Sequence, residues 1–116
     1  MKIAIIGTGN LGLSIAKGLI TNNAITSLYM TRRNPAGIES YAEYKNVFVT
    51  SDNVEAVQKS DILIFAVQPA QLASILHDIK NELTDKHVII STITGYQISQ
   101  IEDIVGTDQF IIRAMP

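Results

Sequence analysis

The chain has 116 residues, which is enough for one domain with a hydrophobic core. Hydrophobic residues make up 47% of it and charged residues 17%, a composition typical of a globular protein rather than a disordered one. The formal net charge of −2 does not favour nucleic acid or an anionic membrane as a partner, and the absence of cysteine excludes disulfides, thiolate metal sites and a cysteine nucleophile.

Metal and membrane sites are also disfavoured. His77 and His87 are the only histidines and do not form a metal-ligand cluster by themselves, so no metal site is predicted. The apolar runs are far shorter than the roughly 20 residues that a membrane-spanning helix needs. The chain begins with a strand-length apolar run rather than a secretory signal. We therefore expect a cytoplasmic protein.

Strand and helix patterns alternate along the chain. Short runs of Val, Ile and Leu predict strands, and apolar residues at helical spacing predict helices. The predicted strands are 2–6, 27–31, 47–50, 61–67, 88–92 and 110–113, and the predicted helices are 11–20, 38–44, 53–59, 70–83 and a last one around 98–105.

Near-continuous apolar strands are typical of a parallel sheet that is covered by helices on both faces. Right-handed crossovers then predict an α/β fold, a Rossmann-type doubly wound sheet with strand order 3-2-1-4-5-6. We see no linker and no internal repeat, so residues 1–116 are predicted to form a single domain.

The most informative motif is Gly7-x-Gly9-x-x-Gly12, which joins the first predicted strand to the first predicted helix. In a dinucleotide-binding turn, the first glycine allows the tight turn and the second lets the backbone approach a pyrophosphate. The third lets the helix pack close to the sheet. The N-terminus of that helix then faces the phosphates. Three glycines also occur in ordinary loops, and a purely structural turn is the alternative.

The end of the second strand indicates which dinucleotide is bound. Folds that bind NAD usually place Asp or Glu there to hold the ribose 2′-hydroxyl, but this chain has Thr31. Arg32 and Arg33 follow, and arginine binds a 2′-phosphate through charge-assisted hydrogen bonds. We predict NADP as the cofactor, with NAD as the weaker candidate. The alternative is that the two arginines are solvated loop residues.

Ligands of such sheets bind outside the carboxyl ends of the strands. The loops at those ends in this sequence are 7–12, 31–33, 66–69, 92–95 and 114–116. No pair of residues forms a convincing acid–base arrangement, so no catalytic residue is assigned. His77 and Asp78 are placed on a helix remote from the strand ends, and no catalytic role is expected for either.

The whole chain resembles the N-terminal domain of pyrroline-5-carboxylate reductases. That family's opening is matched by IIGTGNLGLSIAKGL, and its central stretch by Asn53-Val54-Glu55 followed by SDILIFAVQP. The strand and glycine of 88–95 and the closing IIRAMP match its later motifs. The family reduces the C=N bond of 1-pyrroline-5-carboxylate with NAD(P)H to give L-proline, in proline biosynthesis.

The resemblance implies a set of cofactor-binding residues. The glycine turn would hold the pyrophosphate, the loop 31–33 and Asn53 would bind the adenine-ribose half, and two later loops would line the nicotinamide half. These residues are Gly7, Thr8, Gly9, Asn10, Leu11, Gly12, Thr31, Arg32, Arg33, Asn53, Ala66, Val67, Gln68, Pro69, Thr92 and Thr94. Gln68 departs from the family, which usually has lysine there, so any contribution of that charge is lost.

The family continues beyond such a domain with a helical domain that forms the dimer and most of the substrate pocket. That domain is absent from this chain. We therefore expect a truncated chain that is inactive alone, from a homo-oligomeric parent that binds a small-molecule substrate. Two alternatives stay open. F420-dependent NADP reductases have a similar opening, although the VQP turn and the RAMP ending argue against them. A non-catalytic nucleotide-binding module is the other alternative.

Overall fold

A computed structural model describes residues 1–23 and 25–114. In chain order its elements are β1 (Lys2–Ile6), α1 (Asn10–Thr21), β2 (Ser27–Thr31), β3 (Val47–Thr50), α2 (Asn53–Gln58), β4 (Ile62–Phe65), α3 (Pro69–Ile79), β5 (Val88–Ser91), α4 (Ile98–Val105) and β6 (Phe110–Arg113). Short 3-10 segments cover Pro35–Gly37, Glu39–Glu43 and Lys80–Glu82. Within the described residues, no helix is long and apolar enough to cross a membrane.

The six strands form one parallel sheet in the order β3-β2-β1-β4-β5-β6. This confirms the predicted fold class and strand order. β1 and β4 are neighbours in the sheet although they are not consecutive in the chain. The direction in which successive strands are added therefore reverses between them. Ligands of doubly wound sheets bind at the carboxyl ends of strands beside this switch point.

Three predicted elements were wrong in extent or type. The fourth strand is shorter than 61–67, because the chain leaves the sheet after Phe65 and Pro69 already begins α3. The helix predicted for 70–83 ends at Ile79 and tightens into a 3-10 turn. The short helix predicted for 38–44 is a 3-10 helix over Glu39–Glu43, since the Tyr41 and Tyr44 amides bond three residues back.

Hydrophobic residues fill both faces of the sheet. In β1, Ala4 and Ile6 join a core cluster beneath α2, α3 and α4, whereas Ile3 and Ile5 join a second cluster beneath α1. All four side chains are buried. Burial on both faces explains why the strand sequence is continuously apolar instead of alternating.

Gly12 allows α1 to approach the end of β1. A Cβ atom at this position would overlap the carbonyl oxygen of Gly7, and it would lie 3.3 Å from the Ile5 side chain. The obstacle is mainly backbone, so it cannot rotate away. The third glycine of the motif is therefore required for packing within the chain, with or without a ligand.

We expect Gly12→Ala to lower the free energy of unfolding by at least about 2 kcal/mol, because the added methyl group must push α1 off the sheet. Gly18→Ala is the matched control in the same helix. A Cβ at Gly18 meets nothing within 4 Å, so this change should stabilise the chain by about 0.5–1 kcal/mol. Urea unfolding followed by circular dichroism measures both, and equal midpoints would contradict the packing argument.

Candidate nucleotide-binding site

A cavity of about 670 Å³ lies at the carboxyl ends of β1 to β4. Its walls come from the loops that follow these four strands and from one side of α3. Ten of the residues predicted from the sequence line it: Gly7, Thr8, Gly9, Thr31, Arg32, Arg33, Asn53, Ala66, Val67 and Gln68. The fold thus brings residues from four separate segments of the chain to one side of the sheet.

Six other predicted residues do not line this cavity, namely Asn10, Leu11, Gly12, Pro69, Thr92 and Thr94. Gly12 lies beneath the glycine loop and supports it. Thr92 and Thr94 follow β5, beyond the cavity, and Thr94 is exposed. Met115 and Pro116, which were expected after the sixth strand, lie outside the described residues.

Most of the cavity residues that were not predicted from the sequence lie on α3. Asn34, Ser51, Ala70, Gln71, Ser74, Ile75 and Asp78 also line the cavity. Asp78 lies on α3 well beyond the strand ends, as predicted, but α3 runs along the cavity and Asp78 therefore lines it. The spacing of residues 71, 74, 75 and 78 places them on one helical face and could have indicated a shared surface.

The glycine loop is shaped by contacts with the loop after β4. Gly7 has a φ of 91°, and a Cβ there would overlap the Val67 side chain and lie 3.1 Å from the backbone of Ala66. Only glycine fits both the dihedral angle and the space. Gly9 differs, since its φ is an ordinary −77° and a Cβ would meet nothing within 4 Å. Neither backbone conformation nor internal packing requires glycine at position 9.

The start of α1 has no side-chain cap and no carboxylate in its own first turn. Gly9 is its N-cap residue. The amides of that turn are therefore left for an external acceptor. Such a helix start binds anions such as phosphate. Because Gly9 lines the cavity, an anion there could approach these amides closely.

Two threonines fix the positions of neighbouring loops. The Thr8 backbone N–H and side-chain hydroxyl both donate to the carbonyl oxygen of Thr31, each at 3.0 Å. The Thr31 hydroxyl in turn accepts from the Gly7 N–H at 3.3 Å. Thr92 repeats the arrangement on the other side, with its N–H at 3.1 Å and hydroxyl at 2.9 Å from the Phe65 carbonyl oxygen. All three hydroxyl groups make hydrogen bonds within the protein, and that of Thr31 does so as an acceptor.

Arg32 and Arg33 are exposed at the edge of the cavity. The Arg32 guanidinium lies against Gly37, where a Cβ would be 2.8 Å from its Nη1 atom. Within residues 1–23 and 25–114, no carboxylate forms an ion pair with either arginine. Their positive charges are therefore available to an external anion.

Asn53 adds an unused acceptor. Its Oδ1 atom is buried and has no hydrogen-bond partner among the residues that the structure describes, although Asn53 lines the cavity. The neighbouring Asp52 caps α2 by accepting from the amides of Val54 at 3.0 Å and Glu55 at 3.2 Å, so Asn53 is not needed for that. An unsatisfied buried acceptor calls for an explanation, and a donor on a bound ligand would provide one.

These observations fit a phosphorylated nucleotide. Open space at Gly9 beside an uncapped helix start suits a pyrophosphate, and two arginines suit a further phosphate. The Asn53 acceptor suits a hydroxyl or amine of the nucleoside.

The Thr8 hydroxyl is predicted to contribute to stability. Thr8→Val should lower the free energy of unfolding by about 1 kcal/mol, because one buried hydrogen bond to Thr31 is lost. Thr8→Ser keeps the hydroxyl and should lose less than Thr8→Val. Thermal unfolding of the three proteins measures this, and a valine variant as stable as the parent would show that the hydrogen bond contributes nothing.

Comparison with known families gives the chain's relationships. The family described as NADP oxidoreductase, coenzyme F420-dependent, matches residues 2–95. The chain belongs to this family. Its curated relatives include pyrroline-5-carboxylate reductase 2 of Dictyostelium discoideum, which is 42% identical over 119 residues. The match covers 99% of this chain and 40% of that relative. The enzyme of the same name from Methanosarcina acetivorans is 32% identical, with 99% and 43% covered.

Solved structures agree with this family assignment and with the fold. A pyrroline-5-carboxylate reductase from Coxiella burnetii superimposes with a TM-score of 0.91 at 30% identity, covering 99% of this chain and 43% of that one. The Plasmodium falciparum pyrroline carboxylate reductase, solved with NADP bound, gives 0.84 at 27% identity, with 100% and 42% covered. Prephenate dehydrogenase of Aquifex aeolicus, at 17% identity and a TM-score of 0.82, shares the fold.

These matches confirm the resemblance to the N-terminal NAD(P)-binding domain of the pyrroline-5-carboxylate reductases. The chain spans about two fifths of the length of three of these curated relatives and about a fifth of pyrroline-5-carboxylate reductase 1 of Dictyostelium discoideum. The family that matches residues 2–95 is described by coenzyme F420. The curated relatives named here are pyrroline-5-carboxylate reductases.

Proposed function

We propose that this chain binds NADP(H) in the strand-end cavity and is the cofactor domain of an oxidoreductase that reduces the C=N bond of 1-pyrroline-5-carboxylate to L-proline. The observation that carries the proposal is that one cavity joins the uncapped start of α1 to two arginines that form no ion pair with any residue of 1–23 or 25–114. The relatives support the substrate, since they are named for this reaction and match 98–100% of the chain.

Each part of the cavity has a separate task in this proposal. The amides at the start of α1 bind the pyrophosphate, and Gly9 leaves room for it. Arg32 and Arg33 bind the ribose 2′-phosphate, and Asn53 accepts a hydrogen bond from the nucleoside. Ala66, Val67 and Gln68 contact the part of the nucleotide that is next to the pyrophosphate. When bound, NADPH supplies the hydride for the reduction.

Other parts of the reaction are assigned to the family's second domain. We propose that this domain completes the substrate pocket and forms the homo-oligomer, and that residues 1–116 alone bind the cofactor with little turnover. We also propose a cytoplasmic location. NADPH oxidation should be assayed in the gene product that carries this sequence, with 1-pyrroline-5-carboxylate and with oxidised coenzyme F420. NADPH oxidation with F420 but not with 1-pyrroline-5-carboxylate would favour the F420-dependent reductase. Nucleotide binding without turnover of either substrate would favour a non-catalytic module.

The cofactor assignment is tested by thermal stability with NADPH and NADH. A ligand at about 100 times its Kd stabilises the folded state by about 2.7 kcal/mol. We expect a larger shift with NADPH, and a drop of about tenfold or more in NADPH affinity when Arg32 and Arg33 are both changed to Ala. NADH affinity should change far less, since NADH lacks the 2′-phosphate.

The control is the double variant Lys59→Ala and Lys86→Ala, which removes the same charge from two exposed positions outside the cavity. It should keep the preference for NADPH. Equal responses to both cofactors, before and after the arginine changes, would contradict the assignment.

Gly9→Ala should separate binding from folding. The added methyl group meets nothing in the protein and should change the free energy of unfolding by less than about 1 kcal/mol. It occupies the space proposed for the pyrophosphate, so NADPH affinity should fall at least about tenfold. Isothermal titration and urea unfolding measure the two effects. Normal NADPH affinity in a folded Gly9→Ala variant would place the pyrophosphate elsewhere.

A further inference from the structure

The wall of the cavity on α3 extends well beyond the strand ends. Gln71, Ser74, Ile75 and Asp78 follow the spacing i, i+3, i+4 and i+7, so they share one face of the helix, and all four line the cavity. Asp78 lies nine residues after Pro69, or about 14 Å along a helix that rises 1.5 Å per residue. The cavity is therefore longer than a site for phosphates alone requires.

The residues that line the cavity identify the half of the dinucleotide that fits it. They come from the loops after β1, β2, β3 and β4 and from α3, and the loop after β5 does not take part. In the proposed function the glycine loop binds the pyrophosphate and the two arginines bind the ribose phosphate. The α3 face is then the wall left for the base of the nucleotide.

The chemistry of the α3 face suits a purine with an amino group. Ile75 is half-buried and packs on the core cluster beneath α3, so it offers a fixed apolar surface to a ring. Asp78 is exposed, and in the described part of the chain it is the only carboxylate among the cavity-lining residues. No hydrogen bond or ion pair engages that carboxylate within the same residues.

We propose that α3 recognises the base, with Ile75 against the ring face and the Asp78 carboxylate accepting a hydrogen bond from the exocyclic amine of adenine. This inference rests on the proposed function. An ionised carboxylate only accepts hydrogen bonds. Hypoxanthine has a carbonyl oxygen in place of the adenine amine, so two acceptors would face each other at that position, and its N1–H donor lies one ring position away from the carbon that carries the amine. The face therefore selects adenine dinucleotides against hypoxanthine dinucleotides.

The test compares two ligands by isothermal titration: NADPH, and the reduced hypoxanthine dinucleotide phosphate that differs only in the base. The parent chain should bind the hypoxanthine form about tenfold more weakly, as expected for one hydrogen bond to a charged group at a partly exposed site. Asp78→Asn should bring the two affinities to within about threefold, because an amide can either accept from the amine or donate to the carbonyl.

Asp103→Asn is the matched control, since Asp103 is exposed on α4 outside the cavity and loses the same charge. It should keep the tenfold difference. Urea unfolding checks that both variants remain folded, which the exposure of both side chains favours.

The outcomes separate this inference from the proposed function. A tenfold preference for NADPH that is lost only in Asp78→Asn supports base recognition by α3. Equal binding of the two ligands to the parent chain, or a preference that survives Asp78→Asn, overturns it while NADPH binding stands. Tighter NADPH binding in Asp78→Asn with an unchanged preference also overturns it, since Asp78 would then act only by repelling phosphate. If neither ligand binds, the proposed function fails and base recognition fails with it.

Discussion

The site depends on one close contact between backbone atoms. The Gly7 carbonyl group lies so near Gly12 that no side chain fits between them, and Gly7 itself lies against the backbone after β4. These contacts hold the start of α1 over the gap between β1 and β4. Because the interior of a protein is close-packed, a shift of α1 would be felt at both strands. The direction in which the first helical amides point is thus fixed by contacts that involve no ligand.

Hydrogen bonds from threonine extend this order across the sheet. Thr8 connects the loop after β1 to the end of β2, and Thr92 connects the loop after β5 to the end of β4. In each case the backbone amide and the hydroxyl of one threonine donate to the same carbonyl oxygen. That oxygen belongs to the last residue of a strand, Thr31 in β2 or Phe65 in β4. The loops around the cavity are therefore arranged before a nucleotide arrives, which reduces the ordering cost of binding.

Most of the fold followed from the sequence, because the signals were local and repeated. Four apolar residues before Gly7 and the alternation of strand and helix patterns were sufficient to predict the parallel order of six strands. Helix ends were less predictable: apolar spacing beyond Ile79 continued the α3 pattern, although the backbone there tightens into a 3-10 turn. The end of a helix depends on its last hydrogen bonds, which periodicity does not record.

The candidate site was predictable where residues lie in strand-end loops and unpredictable where they lie within a helix. Arg32 follows β2 directly, so topology places it, whereas Asn53 begins α2 and was assigned from the family resemblance. Asp78 lies almost three turns into α3, and only the direction of that helix brings it to the cavity. Thr31 shows a different limit, since its hydroxyl is engaged with Gly7. Position in the chain does not reveal which polar groups are already satisfied.

The contrast between Gly9 and its two neighbours in the motif bears on how such sequences are compared across a family. Two of the three glycines are demanded by the protein's own backbone, so natural selection for foldability is enough to preserve them. Descendants that abandon the coenzyme would be released from constraint only at the middle position. Replacement of the middle glycine, with Gly7 and Gly12 retained, would identify a lineage that kept the fold but lost nucleotide binding.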